Sequence, residues 1–216
     1  MQVVSTWLRS ITLAIALVAG GPPAAKALTL ADLDAGASFA VGSITFSDFE
    51  LSVAGDLSVD LADYPVQLLG DGFRIAGPLT MLLGERGTLL LSYVAETVSG
   101  VFLDGAALFS PLVAVGSGAA ALVSESLLGP GGVPVGTLLA LNVAGGDPAV
   151  LSDSIGFAAV SRLEVVKVIA LQSGTVALAP HVDQRFSVVP EPLTLMMVGS
   201  GLVGLTLSGR RRAVVA

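Results

Sequence analysis

The middle of this 216-residue chain alternates apolar and polar residues with a period of two, and this pattern limits what it can fold into. Ile44–Ser47 and Leu57–Leu61 are two clear instances. Because successive side chains of a strand point to opposite faces, such segments predict strands that bury one face and expose the other. No convincing helical periodicity occurs between residues 28 and 187. The pattern therefore predicts an all-β domain.

Twelve candidate segments predict about ten strands, and turn-forming clusters such as Gly70–Gly72 and Gly145–Pro148 separate them. The predicted strands are Ile44–Ser47, Phe49–Val53, Leu57–Leu61, Val66–Leu68, Phe73–Ile75, Leu89–Val94, Val101–Leu103, Ala119–Val123, Leu138–Val143, Phe157–Leu163, Leu163–Leu171 and Thr175–Leu178. Many short strands joined by short turns favour an antiparallel β-sandwich, here expected to be jelly-roll-like.

The two ends of the chain differ from this middle in charge. Charged residues make up only 12% of the chain, against roughly 25% in an average soluble domain. Charge-free apolar runs lie near both ends, at residues 10–25 and 192–209, and the residues outside 28–189 include 5 basic residues and 1 acidic residue. Residues 28–189 contain 16 acidic and 5 basic residues. An acidic domain of this kind argues against nucleic acid as a partner, because phosphate binding requires clustered Lys and Arg.

Residues 1–27 have the three parts of a secretory signal peptide. Arg9 gives a positive start, an apolar stretch follows, and Gly21–Pro23 breaks the helix. Ala25 and Ala27 supply the small residues that signal peptidase requires, which places cleavage between Ala27 and Leu28. An uncleaved anchor is the alternative, but an apolar stretch of about 11 residues is short for a bilayer that needs nearly 20.

Residues 188–216 form a second terminal segment with three parts. In chain order these are Pro190, Glu191 and Pro192, then the apolar run 193–207, then Arg210, Arg211 and Arg212. The prolines favour an extended entry, and the apolar run would be roughly 24 Å long as a helix. That length spans a hydrocarbon core of about 30 Å only marginally. The arginines would stay cytoplasmic and stop translocation. We therefore expect a single C-terminal transmembrane helix that leaves the domain outside the inner membrane.

This tail resembles the PEP-CTERM sorting signal of Gram-negative bacteria in all three parts, in their order and at the end of the chain. The resemblance implies processing by an exosortase, an integral membrane cysteine protease or transpeptidase. Pro190, Glu191 and Pro192 would be the recognised residues, and the three arginines the stop-transfer cluster. Such proteins commonly occur in bacteria that make exopolysaccharide. The resemblance also implies a mature form at the cell surface or outside the cell. A Gram-positive sortase signal has the same three parts, but its motif Leu-Pro-x-Thr-Gly is absent, and a plain C-terminal anchor is the other alternative.

No catalytic residue, metal site or cofactor is predicted. Gly199–Gly204 matches G-x-G-x-x-G, but no acidic residue follows it, so a dinucleotide site is not expected. His181 is the single histidine and is predicted to lie in an exposed loop. Glu96, Asp104 and Glu125 are candidates for a hydrolytic carboxylate pair. Their sequence spacing selects no pair, and such strand charges are expected on the solvated face.

Three functions are compatible with these sequence features. The leading one is a non-catalytic exported protein of the cell surface or matrix, linked to exopolysaccharide or biofilm and contacting polysaccharide or envelope proteins. The first alternative is a carbohydrate-binding β-sandwich module, although the region after residue 27 has no Trp and only Tyr64 and Tyr93 as tyrosines. The second alternative is a secreted glycan hydrolase with a carboxylate pair.

Overall fold

The computed structural model describes residues 27–191, which form an antiparallel β-sandwich as the sequence predicted. The predicted signal helix, the predicted transmembrane helix, Pro192 and the three arginines lie outside the described residues. Between residues 27 and 191, no helix combines the length and the apolar character needed to cross a bilayer.

One short α-helix, two 3₁₀ turns and twelve strands make up the regular structure of residues 27–191. The helix α1 is Leu30–Asp34. The strands are β1 Phe39–Val41, β2 Ile44–Gly55, β3 Val66–Leu68, β4 Gly72–Leu82, β5 Arg86–Thr97, β6 Val101–Phe109, β7 Val113–Val115, β8 Ala120–Gly129, β9 Val133–Val143, β10 Ser152–Val160, β11 Arg162–Gln172 and β12 Val176–Pro190.

The strands form two sheets. Sheet I has the order β1-β2-β5-β11-β8-β9, and sheet II has the order β10-β6-β12-β4-β3, with β7 also paired to β12. All of the described pairings are antiparallel. The chain crosses from one sheet to the other between β4 and β5 and again between β5 and β6, so neighbouring segments contribute to opposite layers.

The core lies between the inner faces of the two sheets, where the alternation directs the apolar side chains. One part of this core is an aromatic cluster that consists of Phe39, Phe46, Phe49, Phe73 and Tyr93. Phe46 and Phe73 meet edge to face with ring centroids 5.2 Å apart, and Phe49 stacks on Tyr93 at 5.3 Å. These geometries are the ones that aromatic pairs prefer, so the rings join the sheets as well as filling space.

The helix α1 was not predicted from the sequence, and it begins with a capping box. The Thr29 hydroxyl accepts a hydrogen bond from the Asp32 backbone N–H, and the Asp32 carboxylate accepts one from the Thr29 N–H. These bonds satisfy helix-end donors, which lets five residues form a stable turn. Leu30 and Leu33 are fully buried and add this turn to the core.

Some predicted strand boundaries are wrong. Leu57–Leu61 contains no strand, and a 3₁₀ turn covers Leu61–Asp63. Ile44–Ser47 and Phe49–Val53 belong to one strand, because Asp48 adopts a positive φ of 55° and bends β2 without ending it. At the other end, β12 continues three residues past the predicted domain boundary at 187, to Pro190.

Replacing Leu89 tests how the core contributes to stability. Leu89 on β5 is fully buried, so Leu89→Ala removes apolar contacts and leaves a cavity, at an expected cost of about 2–5 kcal/mol in the free energy of unfolding. Leu83 in the turn after β4 is 83% exposed, and Leu83→Ala is expected to change that free energy by less than about 0.5 kcal/mol. Urea denaturation of both variants measures the two values. Equal effects would contradict the placement of these residues.

Candidate functional site

The outer face of sheet II carries a row of polar side chains that the strand registers bring side by side. Ser152 of β10, Phe109 of β6, Asp183 of β12 and Arg74 of β4 lie directly across from one another. The next outward row holds Ser154, Ala107, Arg185 and Gly72. We call this surface the polar trough. Its principal residues are Asp71, Arg74, Asp104, Phe109, His181, Asp183 and Arg185.

Small residues around Arg185 leave a depression in the surface of the polar trough. Ala107 and Gly72 flank Arg185 on the neighbouring strands, and Gly105 lies opposite both Ser187 and Gly156. Two adjoining cavities follow these positions, with volumes of about 320 and 700 Å³. Both share Ala107, Ser154 and Arg185, so they form one continuous depression. Its size falls in the range of small-ligand sites.

A bidentate ion pair fixes one side of the polar trough. Arg74 donates to the Asp183 carboxylate from Nε at 2.6 Å and from Nη2 at 2.8 Å. The hydrogen bond to the nearly buried Asp183 raises the pKa of Arg74. Two parallel charge-assisted bonds hold both side chains in one geometry. The His181 ring lies beside this pair, with Nε2 3.9 Å from Asp183 Oδ1, and contacts the Phe109 ring at 5.7 Å between centroids.

Three buried polar atoms of the polar trough have no hydrogen-bond partner among residues 27–191. They are Asp71 Oδ1, Asp104 Oδ1 and His181 Nε2. Arg185 Nη1 lies 3.5 Å from Asp71 Oδ1, as an ion pair without hydrogen-bond geometry. Because buried polar groups in proteins are normally satisfied, these atoms require a partner such as water or a ligand. The polar trough therefore offers unused acceptors next to the half-exposed Arg185 guanidinium.

The structure corrects the sequence-based placement of His181. The prediction of an exposed loop was wrong, because His181 lies within β12 at a bulge between Ala179 and His181. Its side chain is only 23% exposed. The bulge and the pairing to β4 place it on the outer face of sheet II, which Pro180 next to it in the sequence did not suggest.

The three candidate carboxylates do not come together. Asp104 lies in the polar trough, and Glu96 lies on the outer face of sheet I with its Oε2 3.5 Å from Arg162 Nη1. Glu125 lies in the interior, so its expected place on a solvated face was wrong. Over residues 27–191, no group of three or more His, Asp or Glu side chains is arranged to hold a metal ion.

The described residues of the predicted processing sites lie at the first and last positions of the described chain. The Leu28 carbonyl accepts a hydrogen bond from the Val66 N–H at 2.7 Å, and Ala27 before it is exposed. Pro190 is the last residue of β12 and lies opposite Val101. The Glu191 N–H donates to the Gly100 carbonyl at 2.8 Å.

A second polar cluster is buried between the sheets. Lys167 of β11 and Glu125 of β8 lie directly opposite each other in sheet I, and both side chains are fully buried. The Lys167 ammonium donates to Glu125 Oε2 and to Gln184 Oε1, the latter at 2.7 Å. Gln184 comes from β12 of sheet II, so this cluster bridges the two layers. No sequence motif marks Lys167 or Gln184, and neither was predicted as a site residue.

Burial dominates the electrostatics of this buried cluster. It raises the pKa of Glu125, and the charge and hydrogen bond of Lys167, with a smaller effect of Gln184, act in the opposite direction. Burial also raises the pKa of Tyr93 well above its ordinary value, with the Glu125 charge as a second cause. Glu125 Oε1 and the Tyr93 hydroxyl have no hydrogen-bond partner among the described residues. Glu125 therefore keeps one free carboxyl oxygen inside the core.

Comparison with known proteins identifies no family for this chain. No family model matches it, and no curated protein matches it. A solved structure of TmCBM61 in complex with β-1,4-galactotriose is 15% identical over 65% of this chain and 88% of that chain, with a TM-score of 0.35. A structure from work on promiscuous carbohydrate-binding modules of the β-sandwich superfamily is 12% identical over 69% of this chain and 58% of that chain, with a TM-score of 0.26. Likenesses of this size assign no ligand.

The raised pKa of Glu125 predicts how stability depends on pH. The folded chain holds this proton more tightly than the unfolded chain, whose Glu pKa is near 4.5. The resulting stabilisation is present below pH 4.5 and is lost as the pH rises through the folded-state pKa. The quantity to follow is the free energy of unfolding of the wild type minus that of Glu125→Gln. We expect this difference to decrease as the pH rises from 4.5 towards neutrality. Urea denaturation at several pH values measures this difference, and an increase would contradict it.

Proposed function

We propose that this chain is the precursor of an exported, non-catalytic protein of the bacterial cell surface or matrix, sorted at its C-terminus by an exosortase. One observation supports this proposal most directly. Within residues 27–191, the first hydrogen bond to the sandwich is made by Leu28 and the last strand ends at Pro190, and the sequence assigns both positions to processing. A domain bounded in this way stays whole after both terminal segments are removed.

The N-terminal boundary fits signal-peptide removal. The described core begins with Leu30, and Leu28 packs against it while its carbonyl pairs with Val66. Ala27 makes no contribution to that core. Cleavage between Ala27 and Leu28 would therefore leave every described core residue in the mature protein.

The C-terminal boundary fits processing at the Pro-Glu-Pro motif. The last described core residue is Phe186, and Val188, Val189 and Pro190 extend β12 along β6. Proline has no N–H to donate, which weakens pairing at this strand end. The first motif residue thus ends β12, and a membrane protease would need to open only the final pairs of this strand to reach the motif.

Replacing Glu191 tests the sorting proposal. In a Gram-negative host that carries an exosortase, Glu191→Ala is expected to leave the uncleaved precursor in the inner membrane, because it removes the central motif residue. The matched control is Glu164→Ala, which changes an exposed strand glutamate outside the motif. Cell fractionation with mass spectrometry of the C-terminus measures the outcome. A Glu191→Ala protein truncated near Pro190 and present at the surface to the same extent as the control would contradict the proposal.

A second candidate function is glycan binding by a jelly-roll-like sandwich through the polar trough. The observation that favours it is the set of three buried polar atoms, on Asp71, Asp104 and His181, that have no hydrogen-bond partner among residues 27–191. A sugar presents many hydroxyl groups, and each can donate to a carboxylate and accept from Arg185. The polar trough contains acidic and basic groups in similar numbers, which favours a neutral polysaccharide over a strongly charged one.

Phe109 adds an apolar contact to the polar trough. Its ring is 40% exposed and stands between Ser152 and Asp183 on the neighbouring strands. Sugar rings have an apolar face that packs on aromatic side chains, so one exposed ring beside hydrogen-bonding groups is suited to a single sugar unit. Hydrolysis by a carboxylate pair is the lesser alternative, because the candidates Glu96, Asp104 and Glu125 lie in three separate places.

Replacing Arg185 tests glycan binding. Arg185→Ala is expected to weaken binding to a neutral polysaccharide by about ten-fold or more, since it removes charged hydrogen-bond donors. Arg162→Ala on the outer face of sheet I is the matched control, because the two side chains are 51% and 50% exposed. Affinity electrophoresis in gels containing soluble glucan, galactan or mannan measures retardation. If the wild type is not retarded by any of these, or both variants weaken equally, the polar trough is not the binding site.

A further inference from the structure

The buried cluster of Lys167, Glu125 and Gln184 brings a nucleophile, a proton acceptor and an acyl group into contact. Lys167 Nζ lies 2.7 Å from Gln184 Oε1, the carbonyl oxygen bonded to the side-chain acyl carbon Cδ. The same nitrogen contacts the Glu125 carboxylate. All three side chains are excluded from water. Reacting groups held this way need no diffusion to meet, which is a large part of what an enzyme site provides.

We propose that Lys167 and Gln184 form an intramolecular amide bond, with Glu125 as the catalytic proton carrier. The bond would join Nζ of Lys167 to Cδ of Gln184 and release ammonia. It would link β11 of sheet I covalently to β12 of sheet II. Its formation is independent of the proposed function, because it depends only on the interior of the sandwich.

The reaction balances without any further reactant. The Lys167 ammonium transfers a proton to the Glu125 carboxylate, which gives a neutral amine and a carboxylic acid. The amine lone pair attacks Gln184 Cδ and forms the C–N bond. The second Nζ proton passes to the amide nitrogen of Gln184, by way of Glu125, while the bond from Cδ to that nitrogen breaks. Ammonia leaves, Nζ keeps one hydrogen, and Glu125 retains the first proton.

The surroundings favour each proton transfer. A buried ion pair in an apolar core is costly, so moving the proton from Lys167 to Glu125 exchanges two charges for two neutral groups. Burial raises the pKa of Glu125, which supports its role as a proton acceptor. Glu125 Oε1 has no partner among residues 27–191, so this oxygen is free to carry a proton. The absence of competing water protects the product from hydrolysis.

Gln184 is a better acyl donor here than Glu125. Attack on Glu125 would consume the carboxyl group of the cluster and leave no other carboxyl group there to move protons. Attack on Gln184 leaves Glu125 intact beside both the nitrogen that arrives and the one that departs. The amide of Gln184 also acts on the pKa of Glu125, which places these two groups near each other. The cluster therefore assigns distinct roles to its three members.

The bond would serve a chain that cannot form disulfides. The sequence contains no cysteine. The linked residues are 17 positions apart, and the bond would close the loop that contains the turn between β11 and β12. A cross-link restricts the unfolded chain and keeps the two sheets joined at this point. Such a bond would survive reducing conditions that break disulfides.

Trypsin provides a direct test on the full chain purified from the membrane or culture fractions. Trypsin cleaves after Arg162, Lys167 and Arg185, and residues 163–185 contain no other Lys or Arg. An acylated Lys167 resists cleavage. The expected product is therefore one peptide covering 163–185, lighter than the linear peptide by one ammonia molecule, with fragment ions that place the bridge between Lys167 and Gln184.

Two variants and two contrary outcomes complete the test. Lys167→Arg should give separate peptides 163–167 and 168–185 without any loss of mass, because its guanidinium does not acylate. Glu125→Ala should slow bridge formation by about 100-fold, as expected for loss of general acid–base catalysis. If the wild type yields only the two separate peptides, the proposal is overturned, whether or not either variant folds. If Lys167 is instead joined to the peptide containing Glu125 with loss of water, Gln184 is not the acyl donor.

Discussion

The packing of the two sheets depends on a lysine and a glutamate that face each other inside an apolar core. An isolated charge there would be very costly, so Lys167 requires Glu125 opposite it and Gln184 from the other sheet. A one-residue slip between β8 and β11 would turn Glu125 outward and leave Lys167 unpaired. The buried pair therefore fixes the register of the centre of sheet I and aligns it with β12 of sheet II.

Once that alignment is set, β12 determines both surfaces of sheet II. Gln184 points inward to Lys167, so its neighbours Asp183 and Arg185 must point outward. Asp183 then meets Arg74 on β4, and Arg185 stands among small residues of the adjoining strands. The polar trough and the buried cluster thus lie on opposite faces of β12. A change that shifted β12 would affect both.

The sequence predicted the strand content and the sandwich because alternation and turn residues are local properties. It did not predict which face a charge occupies, and Glu125 and Lys167 show why. Lys167 lies in a segment with apolar residues at Val166 and Val168 as well as Val165 and Ile169, so alternation did not distinguish inside from outside. The polar trough depends on the registers of four strands, and its Arg74–Asp183 pair joins residues 109 positions apart. A single sequence contains no information about such pairings.

The end of β12 connects the fold to the proposed sorting step. In the proposed sorting step, strand pairing and proteolysis would compete for Val188–Pro190, since a protease needs an extended and unpaired substrate. The sandwich favours release of this segment, because Val188 and Pro190 are exposed and the described core already ends at Phe186. A bulge between Ser187 and Val188 further separates these last pairs from the regular part of the ladder. Opening them would cost little and would leave Gln184 in place against Lys167. The domain could therefore present its C-terminus for cutting without loosening the contact that holds its sheets together.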